Sequence, residues 1–326
     1  VTIDAAKDRT ATDMQVVGKK SYDRAARDNE TLVSGQLSAA GNVSIRAGGA
    51  ASEGNGSITV TGSKISTDNG QLALVANRDI RVQNDTTANS SIDESYVKSG
   101  SLLSKTTTTR SDTINATRVE GSTVSGNTVR VEAGNDVAAR GSHVVGERDV
   151  SIKAGRNVEV TSAQDTYQRQ QSFEQHSSGI TAGYSRGVVG IGYSRSSSNN
   201  HSSEQSSTQQ GSAIASSKGN TRIQAGQQMT VVASDVSAGK DLTLTGKNID
   251  IAAAQDNSVT HQSQQSNSSG FGIGLSVNPL DAFTSAYQES TKDNKTTTTV
   301  GKVVKSGEGI LAGARAATTP VVIEAH

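Results

Sequence analysis

Short aliphatic alternations punctuate the chain, each introduced by a glycine and one or more polar residues. They read Gly41-Asn42-Val43-Ser44-Ile45, Gly134-Asn135-Asp136-Val137, Gly146-Glu147-Arg148-Asp149-Val150-Ser151-Ile152, Gly155-Arg156-Asn157-Val158-Glu159-Val160, Gly239-Lys240-Asp241-Leu242-Thr243-Leu244 and Gly246-Lys247-Asn248-Ile249-Asp250-Ile251. An apolar period of two predicts short strands with one buried face. The Gly and Asn before each strand supply the backbone that tight corners require. Val129-Arg130-Val131 recurs 21 residues later as Val150-Ser151-Ile152, Ala133-Gly134 as Ala154-Gly155, Val137 as Val158 and Ile223 as Leu244. That interval is one turn of a β-solenoid whose coils pair about 4.7–4.9 Å apart. Leucine-rich repeats share the period but need a Leu and Asn ladder that is missing.

A longer unit lies over this one. Four blocks end on a recurring acidic stop, at Asp8, Asp85, Asp165 and Asp256, and after each the aliphatic ladder gives way to a Ser/Thr/Gln-rich stretch. The fold class predicted is therefore all-β, a right-handed parallel β-helix (β-solenoid) with long β-hairpin insertions. The chain reads as a single β-helical repeat region over 1–326. Its coils fall at about 1–8, 34–85, 118–165 and 208–256, and its hairpin inserts at about 9–33, 86–117, 166–207 and 257–300. Residues 301–326 form a C-terminal segment without a clear coil. In the third insert Ile180, Ala182 and Tyr184 alternate with small residues, as do Val189, Ile191 and Tyr193, with Arg186-Gly187 as the turn. The fourth repeats the pattern with Phe271, Ile273, Leu275 and Val277 before Asn278-Pro279. All nine aromatics fall in the inserts.

Composition narrows the picture. Only 32% of residues are hydrophobic and 3% aromatic, with 33 Gly and 2 Pro. A compact globule needs more apolar residues, whereas a thin core of stacked short strands does not. With 31 basic and 31 acidic residues, the balance points to no nucleic acid and no anionic surface as partner. Cysteine is absent, so no disulfide framework exists. The chain begins at Val1 without a signal-peptide pattern, and the expectation is an internal stretch of something longer. No run of residues is long and apolar enough for a membrane-spanning helix.

Catalytic chemistry finds little support. His143, His176, His201, His261 and His326 are scattered without metal-binding spacing, so neither a metal nor another cofactor is expected. Ser is a bulk residue of exposed strands, and no Gly-x-Ser-x-Gly elbow joins a strand to a helix. The recurring Asp residues suit the acceptance of backbone N–H bonds at coil exits better than catalysis. Parallel β-helices also host polysaccharide lyases and hydrolases, but those place acid–base groups beside aromatic sugar platforms. The coils here hold no aromatic residue. No catalytic residue is assigned, and the chain is expected not to be an enzyme and to take no small-molecule substrate. A passive stalk that positions other domains, with hairpins shielding coil edges, is a third reading.

The ordered recurrence resembles a known family. The Ala-Gln-Asp stop, the Gln/Ser-rich insert, the Ser178-Gly179-Ile180 and Ser269-Gly270-Phe271 hairpins, and the return through Gly121-Ser122 and Gly211-Ser212 resemble the haemagglutinin repeats of two-partner-secreted, filamentous-haemagglutinin-like exoproteins. The contact-dependent growth inhibition type is the nearest in pattern. The resemblance implies a secreted protein at the bacterial cell surface, exported through an outer-membrane two-partner secretion transporter. It also implies a β-helical stalk in cell–cell contact, serving delivery of a C-terminal toxin across the target outer membrane. The alternative within the family is an adhesin repeat for host cells or biofilm. Partners are then the transporter and the target-cell surface or outer membrane. The interaction surface expected is the apolar set Ile180, Tyr184, Ile191, Tyr193, Phe271, Ile273, Leu275 and Val277.

Overall fold

The computed structural model describes residues 1–49, 56–185, 188–276, 296–306 and 321–325. Every regular element among them is a strand. Two sheets are wholly parallel and one is wholly antiparallel. The parallel sheets wind into a rod, and the antiparallel sheet is a fin along one of its corners.

The first rod sheet stacks Thr2–Asp4, Ile58–Thr61, Ile80–Gln83, Val137–Arg140, Val158–Thr161, Gln228–Val232 and Asn248–Ala252 in that order. The second faces it and includes Lys64–Thr67, Gln71–Ala76, Thr123–Ala133, His143–Ala154, Thr221–Ala225 and Leu242–Gly246. Pairing is in register, so like residues stack in columns. Ile45, Leu74, Val131, Ile152, Ile223 and Leu244 form one, and Ile58, Ile80, Val137, Val158, Met229 and Ile249 another. Val131 thus lies beside Ile152, and Val137 beside Val158, as an interval of 21 residues requires. The core comprises Ile, Val, Leu, Ala and Met229, with no aromatic ring. Within 301–326, Val321–Ala325 pairs in parallel with Leu242–Gly246.

Hairpins leave the rod at every second coil. They are Ala6–Val17 with Ser21–Val33, Asp85–Gly100 with Ser104–Glu120, Ala163–Ser185 with Val188–Gln210, and Asn257–Ser276 with Thr296–Ser306. The intervening coils turn through Gly62-Ser63, Gly141-Ser142 and Ala233-Ser234, whose first residues take φ of 57°, 51° and 45°. This left-handed backbone suits glycine and strains alanine. Two coils advance the rod by about 9.6 Å, the width that a hairpin's two strands occupy at the usual spacing. Successive hairpins therefore meet edge to edge, and all eight strands form one antiparallel sheet.

A buried serine ladder closes the same corner whether or not a hairpin leaves there. Ser63 N donates to Ser122 Oγ (3.2 Å), Ser122 N to Ser142 Oγ (3.1 Å), Ser142 N to Ser212 Oγ (3.2 Å) and Ser212 N to Ser234 Oγ (3.1 Å). Each hydroxyl donates to the carbonyl that ends the preceding rod strand. At the short corner Ser142 Oγ reaches Arg140 O (2.8 Å), and across the third hairpin Ser212 Oγ reaches Thr161 O (2.7 Å). Hydrogen bonds so matched offset the cost of burying these hydroxyls and amides. The rod runs on beneath the second and third hairpins as if they were absent.

The acidic stops tie neighbouring hairpins at their roots. Asp165 Oδ1 accepts Val119 N (2.5 Å) from the second hairpin's return strand, and Asp256 Oδ1 accepts Gln209 N (2.7 Å) from the third's. Asp85 Oδ1 accepts Thr86 N (2.7 Å) and its carboxylate pairs with Lys7 Nζ (3.0 Å).

Candidate interaction surface

The fin is a single layer. Successive residues of its first four strands, which point to opposite faces, are almost all exposed or half-buried. Near the root, charge-assisted hydrogen bonds cross from hairpin to hairpin. Arg27 Nη2 donates to both Asp93 carboxylate oxygens (2.9 and 2.8 Å). Arg169 Nε and Nη2 donate to Asp112 (3.0 and 2.7 Å) and, through these bonds, hold its carboxyl below the usual carboxylate range against the opposing effect of burial. Arg24 does the same to Asp13 within the first hairpin. Arg9 likewise pairs with Asp28.

Charge thins outward along the fin as the hairpins lengthen. The strand Ala6–Val17 carries Lys7, Asp8, Arg9 and Asp13, whereas Asn257–Ser276 carries no charged residue. Because each of the first three hairpins is longer than the one before, their tips form a staircase, and each step exposes apolar residues. The first step shows Met14, Val16 and Val17, and the second Leu102 and Leu103. The third step is the outermost one described. There Ile180, Ile191, Tyr193 and Phe271 are exposed, Phe271 at 66%.

Register brings the expected surface together on one face. Ile180 pairs with Tyr193 and Tyr193 with Phe271, their rings 6.0 Å apart between centroids. The next rows are Ala182, Ile191, Ile273 and Tyr184, Val189, Leu275. Of Tyr184, Ile273 and Leu275 the backbone register is described; Val277, Arg186-Gly187 and Asn278-Pro279 lie outside the described residues. On the opposite face the same strands present Gly179, Gly183, Gly190, Gly192, Gly270 and Gly272. Beside Ile180, Tyr193 and Phe271, one side of the tip is apolar and the other is mainly glycine, with Thr181. Sequence reasoning missed the first two steps, because Val16-Val17 and Leu102-Leu103 are too short to show a period. Two adjacent aliphatics inside a polar turn were the available signal.

Among the described residues no three His, Cys, Asp or Glu converge, and the one buried carboxylate, Asp79, lies 3.1 Å from Arg81. The arrangement is that of a repeat-built scaffold, a self-stacking rod that carries an outward apolar edge.

The chain belongs to the haemagglutinin-repeat family. That family's model matches it three times, over residues 16–108, 103–214 and 189–312. Curated relatives include the tRNA nuclease CdiA-2 of Burkholderia pseudomallei, 34% identical over 73% of this chain, and the tRNA nuclease CdiA of Escherichia coli, 30% identical over 77%. The 16S rRNA endonuclease CdiA of Enterobacter cloacae is 33% identical over 63%. The chain spans only 8% of the length of the first two. No solved structure matches.

Proposed function

We propose that the chain is a non-catalytic repeat region of a secreted surface exoprotein, a β-helical stalk that presents hairpin tips to a target cell and serves delivery of a toxin carried further along the protein. What carries this reading is the staircase of exposed apolar residues, held away from a rod that is complete without it. Such a patch on a soluble chain marks a surface with work to do. The relatives named as nucleases share this region while being many times as long, so catalysis in a distant domain and scaffolding here fit together. Export through an outer-membrane two-partner secretion transporter, and contact with the target outer membrane, follow from the same kinship. We also infer that the rod winds right-handed, the sense that crossovers between parallel strands of one sheet nearly always take. The contact residues are Ile180, Tyr184, Ile191, Tyr193, Phe271, Ile273, Leu275 and Val277.

The experiment replaces Tyr184, Ile191, Phe271 and Ile273 with Ser in the full-length protein and measures secretion, target attachment and delivery separately. Secretion should persist while attachment or delivery falls several-fold. If attachment and delivery both stay at wild-type levels, the tips have no such role.

A further inference from the structure

The third hairpin outreaches the second. Ser104 lies opposite Gly179, and Ile180 N makes the last bond between them, to Leu103 O at 2.8 Å. Beyond it, among the described residues, Thr181–Ser185 has a neighbour on one side alone, the strand beginning at Val188. Along a strand, N–H and C=O groups point alternately to either side. Ile180 points outward, so Ala182 and Tyr184 do too, and among the described residues their outward backbone groups have no partner. Natural edges are usually blunted by Lys, Pro or a bulge. The fin's outer strand on that side, Ala6–Val17, is blunted by charge. From Gly179 to Ser185 there is no charged residue and no proline.

We propose that this edge is filled by the same edge of a second copy of the chain, antiparallel about a two-fold axis at Gly183. In that register Ala182 of each copy lies opposite Tyr184 of the other, and each pair exchanges two backbone hydrogen bonds. Of the possible alignments, this one uses all the outward groups on both copies without disturbing the bond from Ile180 to Leu103. The residues on the axis are the two Gly183, and nothing lies within 4 Å of where a Cβ there would sit. A two-fold contact is self-complementary and closes after two copies. Opposed residues of paired strands share a face, so the apolar rows run on across the axis and the patch widens from three strands to six. The two rods then lie at opposite ends of the joined fins, an arrangement suited to proteins facing each other across a gap. This goes beyond the stalk reading and does not depend on it.

The chain holds no cysteine, so a single introduced thiol has no competitor. Gly183 points inward, which makes the two copies of it a non-hydrogen-bonded pair with Cβ atoms about 4.5–5.5 Å apart, near disulfide range. Mild oxidation of the Gly183→Cys chain should therefore give a disulfide-linked dimer. Gly190→Cys, on the same face one strand inward, should stay monomeric. Separately, Ala182→Pro removes an outward N–H and leaves the inner ladder whole. In sedimentation equilibrium it should weaken the dimer by about ten-fold or more, since each dimer loses two hydrogen bonds, while the thermal midpoint holds. Three results would overturn the proposal. They are Gly183→Cys cross-linking no faster than Gly190→Cys, a dimer unmoved by Ala182→Pro, and binding to phosphatidylglycerol vesicles without cross-linking, which would assign the edge to lipid.

Discussion

Rod and fin are both built of strands, yet they are stabilised by opposite arrangements of side chains. In the rod each coil buries one residue in two, and columns such as Ile45, Leu74, Val131, Ile152, Ile223 and Leu244 exclude water from the parallel ladders. The fin has water on both faces. Its ladders are held by strand pairing, by ion pairs such as Arg169–Asp112 and by the Asp residues at its root. Backbone pairing is common to both regions, so what separates them is the burial of side chains. The rod should unfold as a unit with its neighbours, and the fin should open locally.

The comparison can be strained most at the core. Ile152→Asp places an unpaired carboxylate where Ile152 is fully buried and should cost about 4 kcal/mol or more. Phe271→Ser at the fin tip should move the rod's thermal midpoint little. Equal losses from both would erase the distinction. Gly155→Ala comes next. A Cβ there would collide with the carbonyl oxygen of Gly134 in the coil beneath, and overpacking of this kind should cost about 1–3 kcal/mol. An unchanged melting curve would mean that the coils stack less tightly than described.

Acid should separate the two regions by chemistry. The Asp112 carboxyl is held below its ordinary range by Arg169, as Asp13 is by Arg24. A depressed folded value gives stability that is present above the unfolded pKa, about 3.9, and is lost as pH falls through the folded value. Protection of the amides joining the second and third hairpins, relative to intrinsic exchange at each pH, should thus fall below about pH 4, while that of the rod's interior amides holds. Acid-insensitive protection at Thr109–Thr117 would remove the ion pair from the account. The smallest effect is a gain. Ala233 occupies the left-handed corner that Gly62 and Gly141 occupy elsewhere, and Ala233→Gly should relieve strain worth up to about 1 kcal/mol net of chain entropy.

The rod was legible because a solenoid repeats itself. Val129, Val150 and Val158 announce their partners by interval alone, and small aliphatics at period two need no tertiary knowledge to place. Three of the four acidic stops were legible as coil exits, since Asp85, Asp165 and Asp256 accept backbone N–H bonds there, whereas Asp8 lies inside the strand Ala6–Val17. The joining of the hairpins into one sheet was not visible. Pairings such as Arg27 with Asp93 depend on the coincidence of two coils with two strands in width, which appears only once the rod's pitch is known. The serine ladder escaped for a similar reason. Ser63, Ser122, Ser142 and Ser212 look like any other serines in a serine-rich chain until stacking buries them. The face carrying Ile180, Ile191, Tyr193 and Phe271 could be read from alternation. Its position at the top of a staircase depends on the lengths of the neighbouring hairpins.

The central claim is that the rod is complete beneath the fin, and one deletion tests it. Removing residues 162–210 joins Thr161 to Gly211-Ser212, the same sequence pattern as the short corner Arg140-Gly141-Ser142, where the serine hydroxyl meets the carbonyl two residues back. Hydrogen exchange of the shortened chain should find the amides of Val150–Ala154 and Thr221–Ala225 as protected as in the intact chain, with one cooperative melt. Loss of that protection would show that the hairpins hold the rod together and would contradict the account.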